Sequence, residues 1–393
     1  MFVLAFALPG QVPQDPLVGE GTGADAGQGR QVKVGDMGEA EHLADPAAQA
    51  ARRRRAPARP CQAPAPLDLP APGARIGLIG NRNSGRAGRG ALLAQAVAGQ
   101  DLPVAETESL AELDAALAAF AASGVEVLAV HGGDGTVDAV IAALRARPLF
   151  PREPLLALLS GGTTNMTHGD VGLRGRAPAA LDRLRRAVAA GLRPDQVVAR
   201  APLRVTCPAA PEAAPSPGYG FFFAAAAIPR VIRQTRARFH RRGLTGQVSE
   251  ALALGGALRR LRAGQVANDP LLRPDPLAVT LDGGVTHEAP TVMLLATTLE
   301  RLLLGLRPAP PAPGRIGVAA LEVPYARLGR RLPAFLRGRP LPGGAGDGLW
   351  RAQAASAVLG ADGEATLDGE LFPLPEGAPL HLAPAAPVRF VTV

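Results

Sequence analysis

The feature that most constrains the fold is a repeated pattern in which an apolar segment ends in a turn rich in glycine and polar residues. Three such turns lie at residues 81–86, 131–136 and 160–165. Segments with helical periodicity lie between them, so strand and helix alternate over residues 75–192. This alternation predicts a mostly parallel sheet with helices on both faces.

Beyond residue 200 the pattern changes to short apolar strands separated by Asp-Gly pairs. The pairs lie at residues 282–283, 362–363 and 368–369. Because Asp-Gly is typical of hairpin turns, we expect a second, β-rich domain over residues 201–393, with helices near 228–263 and 323–338. The α/β domain is assigned to residues 74–200. The fold class is therefore α/β plus β.

Residues 1–73 contain scattered glycine, proline, glutamine and alanine without a sustained apolar period, and are predicted to be a disordered extension. A start placed too far upstream, a regulatory arm and a weak membrane tether are alternative interpretations of this segment. We expect neither a signal peptide nor a membrane-spanning helix. Cys61 and Cys207 are far apart and suit neither a disulfide framework nor a zinc site, so we expect a cytoplasmic protein.

The three polar turns follow strands of one parallel sheet, so they should line one crevice at its carboxyl edge. In the turn at residues 132–136, glycines let the backbone approach a phosphate, and the following helix offers unpaired N–H groups. Thr136 adds a hydroxyl. Asp134 would repel phosphates unless a cation lay between them, so it is the candidate Mg²⁺ ligand. The turn is predicted to bind a nucleoside triphosphate.

Composition argues against several classes of protein. Lys33 is the only lysine, whereas Walker-type loops and protein kinases each place a lysine on the nucleotide phosphates. The formal charge of +8 accompanies only 4% aromatic residues, so little is available to stack on bases. We expect no nucleic-acid partner.

Four motifs together resemble the diacylglycerol kinase and sphingosine kinase type of lipid kinase. Asn81-Arg82-Asn83-Ser84-Gly85 matches an Asn-Pro-x-Ser-Gly turn of that family, and Gly162-Thr163-Thr164-Asn165 matches its Gly-Thr-Gly-Asn turn. The other two motifs are Gly132-Gly133-Asp134-Gly135-Thr136 and Leu367-Asp368-Gly369-Glu370. The resemblance covers roughly residues 75–393.

The resemblance implies that ATP binds with Mg²⁺ in a cleft between a Rossmann-like α/β domain and a β-sandwich domain, and that a lipid hydroxyl is phosphorylated. Glu370 is the implied proton acceptor, and Asp134 joins it in the catalytic set as the metal ligand. The implied nucleotide-binding residues are Asn81, Ser84, Gly85, Thr107, Gly132, Gly133, Asp134, Gly135, Thr136, Gly162, Thr163 and Asn165.

Two positions leave alternatives open. Glu364 ends a second Asp-Gly-Glu sequence six residues before Glu370 and competes with it for the role of base. Met166 stands where the family commonly has an aspartate, and Asp170 is a candidate substitute. The departure at Met166 keeps open a catalytically degenerate regulator that binds nucleotide or lipid. An NAD kinase is the other alternative, because it shares the Gly-Gly-Asp-Gly turn.

Residues 228–262 carry nine arginines and a single acid, Glu250. We expect Arg230, Arg233, Arg241 and Phe239 to lie along a helix that contacts an anionic membrane, and residues 325–339 to form a second mixed patch. The alternative is a solvated arginine-rich helix. The predicted partners are therefore a lipid substrate, diacylglycerol first, and a membrane surface that the protein visits reversibly. A homodimer is compatible with the sequence.

Overall fold

The first half of the chain forms the alternating elements that the sequence predicts. The computed structural model describes residues 68–82, 102–162, 165–215, 218–240, 255–257, 259–261, 269–326, 328–341 and 347–393. The strands in this half are β1 (Arg75–Asn81), β2 (Val104–Thr107), β3 (Val125–Gly132), β4 (Leu155–Ser160) and β5 (Val197–Arg200). Its helices are α1 (Leu110–Ala122), α2 (Asp134–Ala146), α3 (Met166–Val171) and α4 (Ala177–Ala190).

The second half is dominated by strands. Its first strands are β6 (Leu203–Thr206), β7 (Tyr219–Gly220), β8 (Phe222–Ala226), β9 (Asp275–Leu281), β10 (Thr286–Thr297) and β11 (Ile316–Glu322). The later ones are β12 (Leu349–Ala354), β13 (Ala357–Ala361), β14 (Glu364–Leu367), β15 (Glu370–Pro373), β16 (Leu380–Pro384) and β17 (Val388–Val391). The helices are α5 (Ala227–His240) and α6 (Leu328–Leu336).

The first sheet has six strands in the order β2-β1-β3-β4-β17-β5. All neighbours are parallel except β5, which is antiparallel to β17. Side chains alternate between two apolar layers: in β4, Leu155 and Leu159 face α4, whereas Leu156 and Leu158 face α1 and α2. This burial on both faces explains the uninterrupted apolar run of β4. The predicted parallel sheet covered by helices is confirmed.

The second sheet contains eleven antiparallel strands in one hydrogen-bonded network. The long strand β10 pairs with β8, β9 and β11, so it connects the two halves of the sheet. Side chains from both halves, including Phe223 and Leu359, form one buried apolar cluster. The opposite face of β8 and β11 packs against α6 through Phe335. The predicted order of an α/β part followed by a β part is confirmed.

The strand at the end of the chain lies in the first sheet. Phe390 of β17 is paired with Leu156 of β4, and β17 separates β4 from β5. Phe390 also makes an edge contact with Phe221, with ring centroids 6.1 Å apart. Residues 388–391, predicted within the β-rich domain, therefore complete the α/β sheet. The domain boundary at residue 200 stays a prediction.

Two of the three Asp-Gly pairs form the hairpins expected of them. Asp282 and Asp368 have positive φ angles of 53° and 47°, and they connect β9 to β10 and β14 to β15. The hairpin predicted at Asp362-Gly363 is wrong, because the strands on either side of it do not pair with each other. β13 pairs with β9 and β16, whereas β14 pairs with β8 and β15. This pair is therefore a crossing between the two halves of the second sheet.

The packed part of the chain begins earlier than residue 74. The carboxylate of Asp68 is 2.7 Å from the guanidinium of Arg152, and its carbonyl accepts a hydrogen bond from Arg389. Leu69 packs against the apolar layer beneath α4. The rest of the predicted extension, residues 1–67, lies outside the described residues. None of the described helices is long and apolar enough to span a membrane.

Candidate active site

Two glycine turns meet at the carboxyl edge of the first sheet. The amide of Gly161 donates to the carbonyl of Gly132 at 3.2 Å. A Cβ atom at Gly162 would lie 2.4 Å from the Cα of Gly133, so no side chain fits there. The glycines are required for this close backbone approach, because neither Gly133 nor Gly162 has a positive φ. The predicted meeting of these two turns is observed.

The end of β1 reaches the same crevice through Asn81. Its side-chain amide donates to the hydroxyl of Thr136 at 2.9 Å, which joins the first turn to the start of α2. Thr107 ends the neighbouring strand β2, is paired with Asn81 in register and is buried. Two other predicted nucleotide contacts, Ser84 and Gly85, lie outside the described residues, and Thr163 does as well.

Asp134 is the first residue of α2, and its carboxylate faces the start of α3. Its two oxygens accept the amides of Met166 and Thr167, each at 2.9 Å. The side chain is buried, and burial raises the pKa of Asp134 while the amides of Met166 and Thr167 oppose that rise. Asp134 therefore connects the glycine turn at residues 132–136 to the one at residues 160–165 by capping α3.

Asp134 is also the residue predicted to hold Mg²⁺, directly or through water. Each of its carboxylate oxygens accepts one backbone amide, which leaves further lone pairs on both. Within the described ranges, no group of three histidine, cysteine, aspartate or glutamate side chains is arranged to hold a metal ion. Mg²⁺ usually keeps several waters and is bound by one or two carboxylates and substrate phosphates. The assignment of Asp134 as the metal ligand therefore stays a prediction.

The side chain of Asn165 forms two hydrogen bonds within its own glycine turn, at residues 160–165. Its side-chain oxygen accepts the amide of Gly162 at 2.9 Å, and its side-chain nitrogen donates to the carbonyl of Gly162 at 2.7 Å. Asn165 has a left-handed φ of 51°, a conformation that asparagine tolerates better than most residues. The predicted nucleotide-binding residue therefore acts in this structure as the clamp of its own turn.

The two residues at the departure from the family pattern have structural roles. The side chain of Met166 packs in two apolar clusters, one under the first sheet and one against α6. Asp170 is 2.9 Å from the guanidinium of Arg200 and accepts the amide of Glu300 at 3.3 Å. Asp170 therefore forms an ion pair with Arg200 and does not replace the aspartate that the family has at the position of Met166.

The structure separates the two candidate bases. An ideal Cβ built on Gly135 would lie 3.2 Å from Oε1 of Glu370, so this exposed carboxylate lies over the first turn of α2. Glu364, at the other end of β14, forms an ion pair with Arg233 of α5. Glu370 has the geometry of a group that faces bound phosphates. Glu364 belongs to the contact between α5 and the hairpin.

Two buried aspartates that the sequence did not single out as functional lie behind Glu370. Asp368 accepts the amides of Phe221 and Phe222 at 2.6 and 2.9 Å, and its carboxyl is hydrogen-bonded to that of Asp138. Burial raises the pKa of both groups, and the charge of Asp134 raises both further. At Asp368 the two amides and the hydrogen bond with Asp138 oppose that rise in pKa. Because Asp368 is stabilised as an anion by two amides, Asp138 holds the proton and donates it.

One sequence signal was available for Asp138. Asp138 lies one helical turn after Asp134, on the same face of α2, and Asp134 belongs to the glycine turn at residues 132–136. Its partner Asp368 was visible as the first residue of a hairpin turn and as a member of the motif at residues 367–370. The pairing itself joins residues 230 positions apart (368 − 138) and has no local signature.

Two of the arginines predicted to face a membrane are engaged within the protein. Arg230 lies 2.6 Å from the carboxylate of Asp275, and Arg233 is paired with Glu364. Arg241 lies outside the described residues, as does the side chain of Phe239. Of residues 325–339, Leu328, Leu332 and Phe335 are buried beneath the second sheet. These contacts favour a structural role for the inner face of α5 and for α6.

One stretch of the chain is similar to a known protein family. Residues 75–193 match the family model described as the diacylglycerol kinase catalytic domain. No curated protein shows significant similarity to the sequence.

The fold is similar to two crystal structures of a protein from Bacillus anthracis str. Sterne that is provisionally assigned as a diacylglycerol kinase. The first has a TM-score of 0.54 at 17% identity and covers 81% of this chain and 97% of the other. The second has a TM-score of 0.53 with the same identity and coverage. At this identity the similarity establishes the fold, and it extends over both sheets. Residues 75–193 are therefore similar to the diacylglycerol kinase catalytic domain.

Proposed function

We propose that this protein is an ATP-dependent kinase that transfers the γ-phosphate to a lipid hydroxyl, with diacylglycerol as the first candidate acceptor. The observation that carries the proposal is the position of Glu370 over Gly135, beside two glycine turns at the carboxyl edge of a parallel sheet. A sphingoid base, ceramide or another hydroxylated lipid offers the same chemistry. The family of residues 75–193 supports the class of reaction.

The residues of the crevice suggest how the transfer would proceed. The phosphates would lie against the glycine turns and the N-terminus of α2. Glu370 would accept the proton of the lipid hydroxyl while the oxygen of that hydroxyl forms a bond to the γ-phosphorus. At the same time the bond from the γ-phosphorus to the β,γ-bridging oxygen would break. The products would be a phospholipid and ADP, with the proton on Glu370. Mg²⁺ held by Asp134, directly or through water, would neutralise charge on the phosphates.

The decisive experiment is transfer of label from radioactive ATP to a total lipid extract, with defined diacylglycerol, a sphingoid base and ceramide as separate acceptors. We expect wild type and Glu364→Gln to label lipid at similar rates, and Glu370→Gln to lose about two to four orders of magnitude. Glu364→Gln is a matched control, because it neutralises the other carboxylate of the same hairpin. Equal labelling by wild type and Glu370→Gln would reject the assigned base.

Two other functions are separated by the same assay. An NAD kinase would label NAD rather than lipid, so NAD is included as an acceptor. A degenerate regulator would bind ATP without labelling any acceptor, and equilibrium binding of ATP measured in parallel would reveal it. The buried packing of Met166 keeps this alternative relevant, because it leaves the position after Asn165 without an acid.

Access to a lipid acceptor requires contact with a membrane. We propose that the arginine-rich stretch after α5 provides it, since Arg230 and Arg233 are paired within the protein. Cosedimentation with vesicles should then increase with the fraction of anionic lipid and decrease as salt is raised. Equal binding to neutral and anionic vesicles would reject an electrostatic contact.

A further inference from the structure

The hairpin that carries Glu370 is held at its tip from the side of α5. The guanidinium of Arg236 donates to the carbonyl of Gly369 at 2.6 Å. Gly369 immediately precedes Glu370 and has a φ of 90°, and Asp368 before it also has a positive φ. A two-residue turn of this kind fixes the direction in which the next side chain leaves.

Arg236 is one of two contacts that α5 makes along the same hairpin. Arg233 lies three residues earlier on the helix, so both side chains leave from one face. Arg233 pairs with Glu364 at the start of β14, while Arg236 reaches the tip. The helix therefore spans the hairpin from its base to its tip. The placement follows from topology, because α5 continues directly from β8 and β8 pairs with β14.

The other side of the turn is anchored independently. The carboxylate of Asp368 accepts the amides of Phe221 and Phe222, and the amide of Asp368 donates to the carbonyl of Phe222 at 2.8 Å. These bonds fix the residue before Gly369, and Glu370 after it is paired with Leu367 in the hairpin. The carbonyl of Gly369 belongs to the peptide that leads into Glu370. The contact with Arg236 therefore restrains the last backbone unit before the base.

We propose that Arg236 is a positioning residue, which holds the Gly369 carbonyl so that the carboxylate of Glu370 stays over the first turn of α2. The inference rests on the proposed function, in which Glu370 is the base. A charge-assisted hydrogen bond to a carbonyl is stronger than a neutral one, and it orients the acceptor. Misplacement of a catalytic group by about 1 Å can cost about a hundredfold in rate.

The first test measures the backbone and needs no activity. Hydrogen exchange of the peptide covering residues 366–373 should become at least about tenfold faster in Arg236→Ala, because the turn loses one anchor. Arg193→Ala is the control, since Arg193 is an exposed arginine whose side chain pairs with Asp195 in another part of the fold. Unchanged exchange in Arg236→Ala overturns the inference. If exchange is faster in Arg236→Ala but wild type labels no lipid, the proposed function is rejected. The anchoring contact between Arg236 and Gly369 is then still established.

The second test connects the anchor to catalysis. With the acceptor that wild type labels, Arg236→Ala should lower kcat at least about tenfold while KM for ATP and the thermal midpoint stay within error. Arg236→Lys should recover part of the loss, because an ammonium still donates to the carbonyl. In the Glu370→Gln background the Arg236→Ala change should have little further effect. Independent, additive losses would overturn a role exerted through Glu370.

Discussion

The carboxyl groups of Asp138 and Asp368 are hydrogen-bonded to each other in the interior, between the helix that begins at the phosphate turn and the hairpin that carries Glu370. Two carboxyl groups can share a buried hydrogen bond only if one of them is protonated. The junction between α2 and the second sheet therefore contains a bound proton. Oδ1 of Asp138 has no hydrogen-bond partner in the described structure, which is consistent with a neutral group.

This bound proton predicts that stability falls as pH rises. Burial holds the pKa of both groups above the ordinary carboxyl value, so the folded state keeps a proton that the unfolded chain releases above about pH 4. The contribution is complete below that pH and is lost as pH rises through the raised pKa. The cost reaches at most about 1.4 kcal/mol per pH unit in this window. Thermal midpoints between pH 5 and pH 9 would measure it.

The control for this dependence is Asp138→Asn, which keeps an N–H donor for Asp368 and removes the titrating proton. We expect its thermal midpoint to vary less with pH than that of wild type. Asp195→Asn should leave the wild-type slope unchanged, because Arg193 lowers the pKa of Asp195 and places its titration below the window. An Asp138→Asn variant that retains the full slope would contradict the shared proton.

Replacement of Gly135 should separate stability from activity. An added Cβ would lie 3.2 Å from Oε1 of Glu370 but meets no backbone atom within 4 Å, and its φ does not require glycine. We expect Gly135→Ala to be as stable as wild type or up to about 1 kcal/mol more stable, because alanine favours the helix. Its kcat should fall several-fold, since Glu370 must move away from the crevice.

The matched control is Gly169→Ala in α3, where an added Cβ meets nothing within 4 Å. Its kcat should equal that of wild type. A Gly135→Ala variant with unchanged kcat would show that Glu370 does not act at the position seen here.

Asp134→Asn tests whether this residue caps a helix or binds metal. An asparagine would turn its NH2 group toward one of the two amides that Asp134 accepts, so one hydrogen bond is lost. We expect a loss of about 1–3 kcal/mol in the free energy of unfolding and weaker ATP binding. If Asp134 also holds Mg²⁺, the Mg²⁺ concentration that gives half-maximal ATP binding should increase. An unchanged concentration would reject Asp134 as a metal ligand.

Gly162→Ala should disrupt the crevice itself. The added Cβ would lie 2.4 Å from the Cα of Gly133, and this backbone atom cannot move without the rest of its turn. We expect a loss of at least about 1–3 kcal/mol in the free energy of unfolding and no measurable ATP binding. Urea unfolding and calorimetric titration with ATP would check both effects. Wild-type ATP affinity in this variant would show that the two turns do not form one phosphate site.

The phosphate turns could be predicted from the sequence because each is local. A glycine-rich turn between an apolar strand and an amphipathic helix fixes both elements within about twenty residues, and parallel strands bring such turns to one edge. The contact between Gly132 and Gly161 and the bond from Asn81 to Thr136 followed from that rule. The two amides that Asp134 accepts could not be predicted in this way, because they come from another turn.

Residues 75–192 therefore specify by themselves the alternation of strand and helix, the parallel sheet and the glycine crevice, because hydrophobic period and turn chemistry are properties of neighbouring residues. Only the tertiary structure decided that β17 enters the first sheet, that Glu370 rather than Glu364 faces Gly135, and that Asp138 shares a proton with Asp368. These relationships join segments more than 200 residues apart or depend on a crossing between the two halves of a sheet. Burial and long-range pairing set them, and no local pattern encodes either.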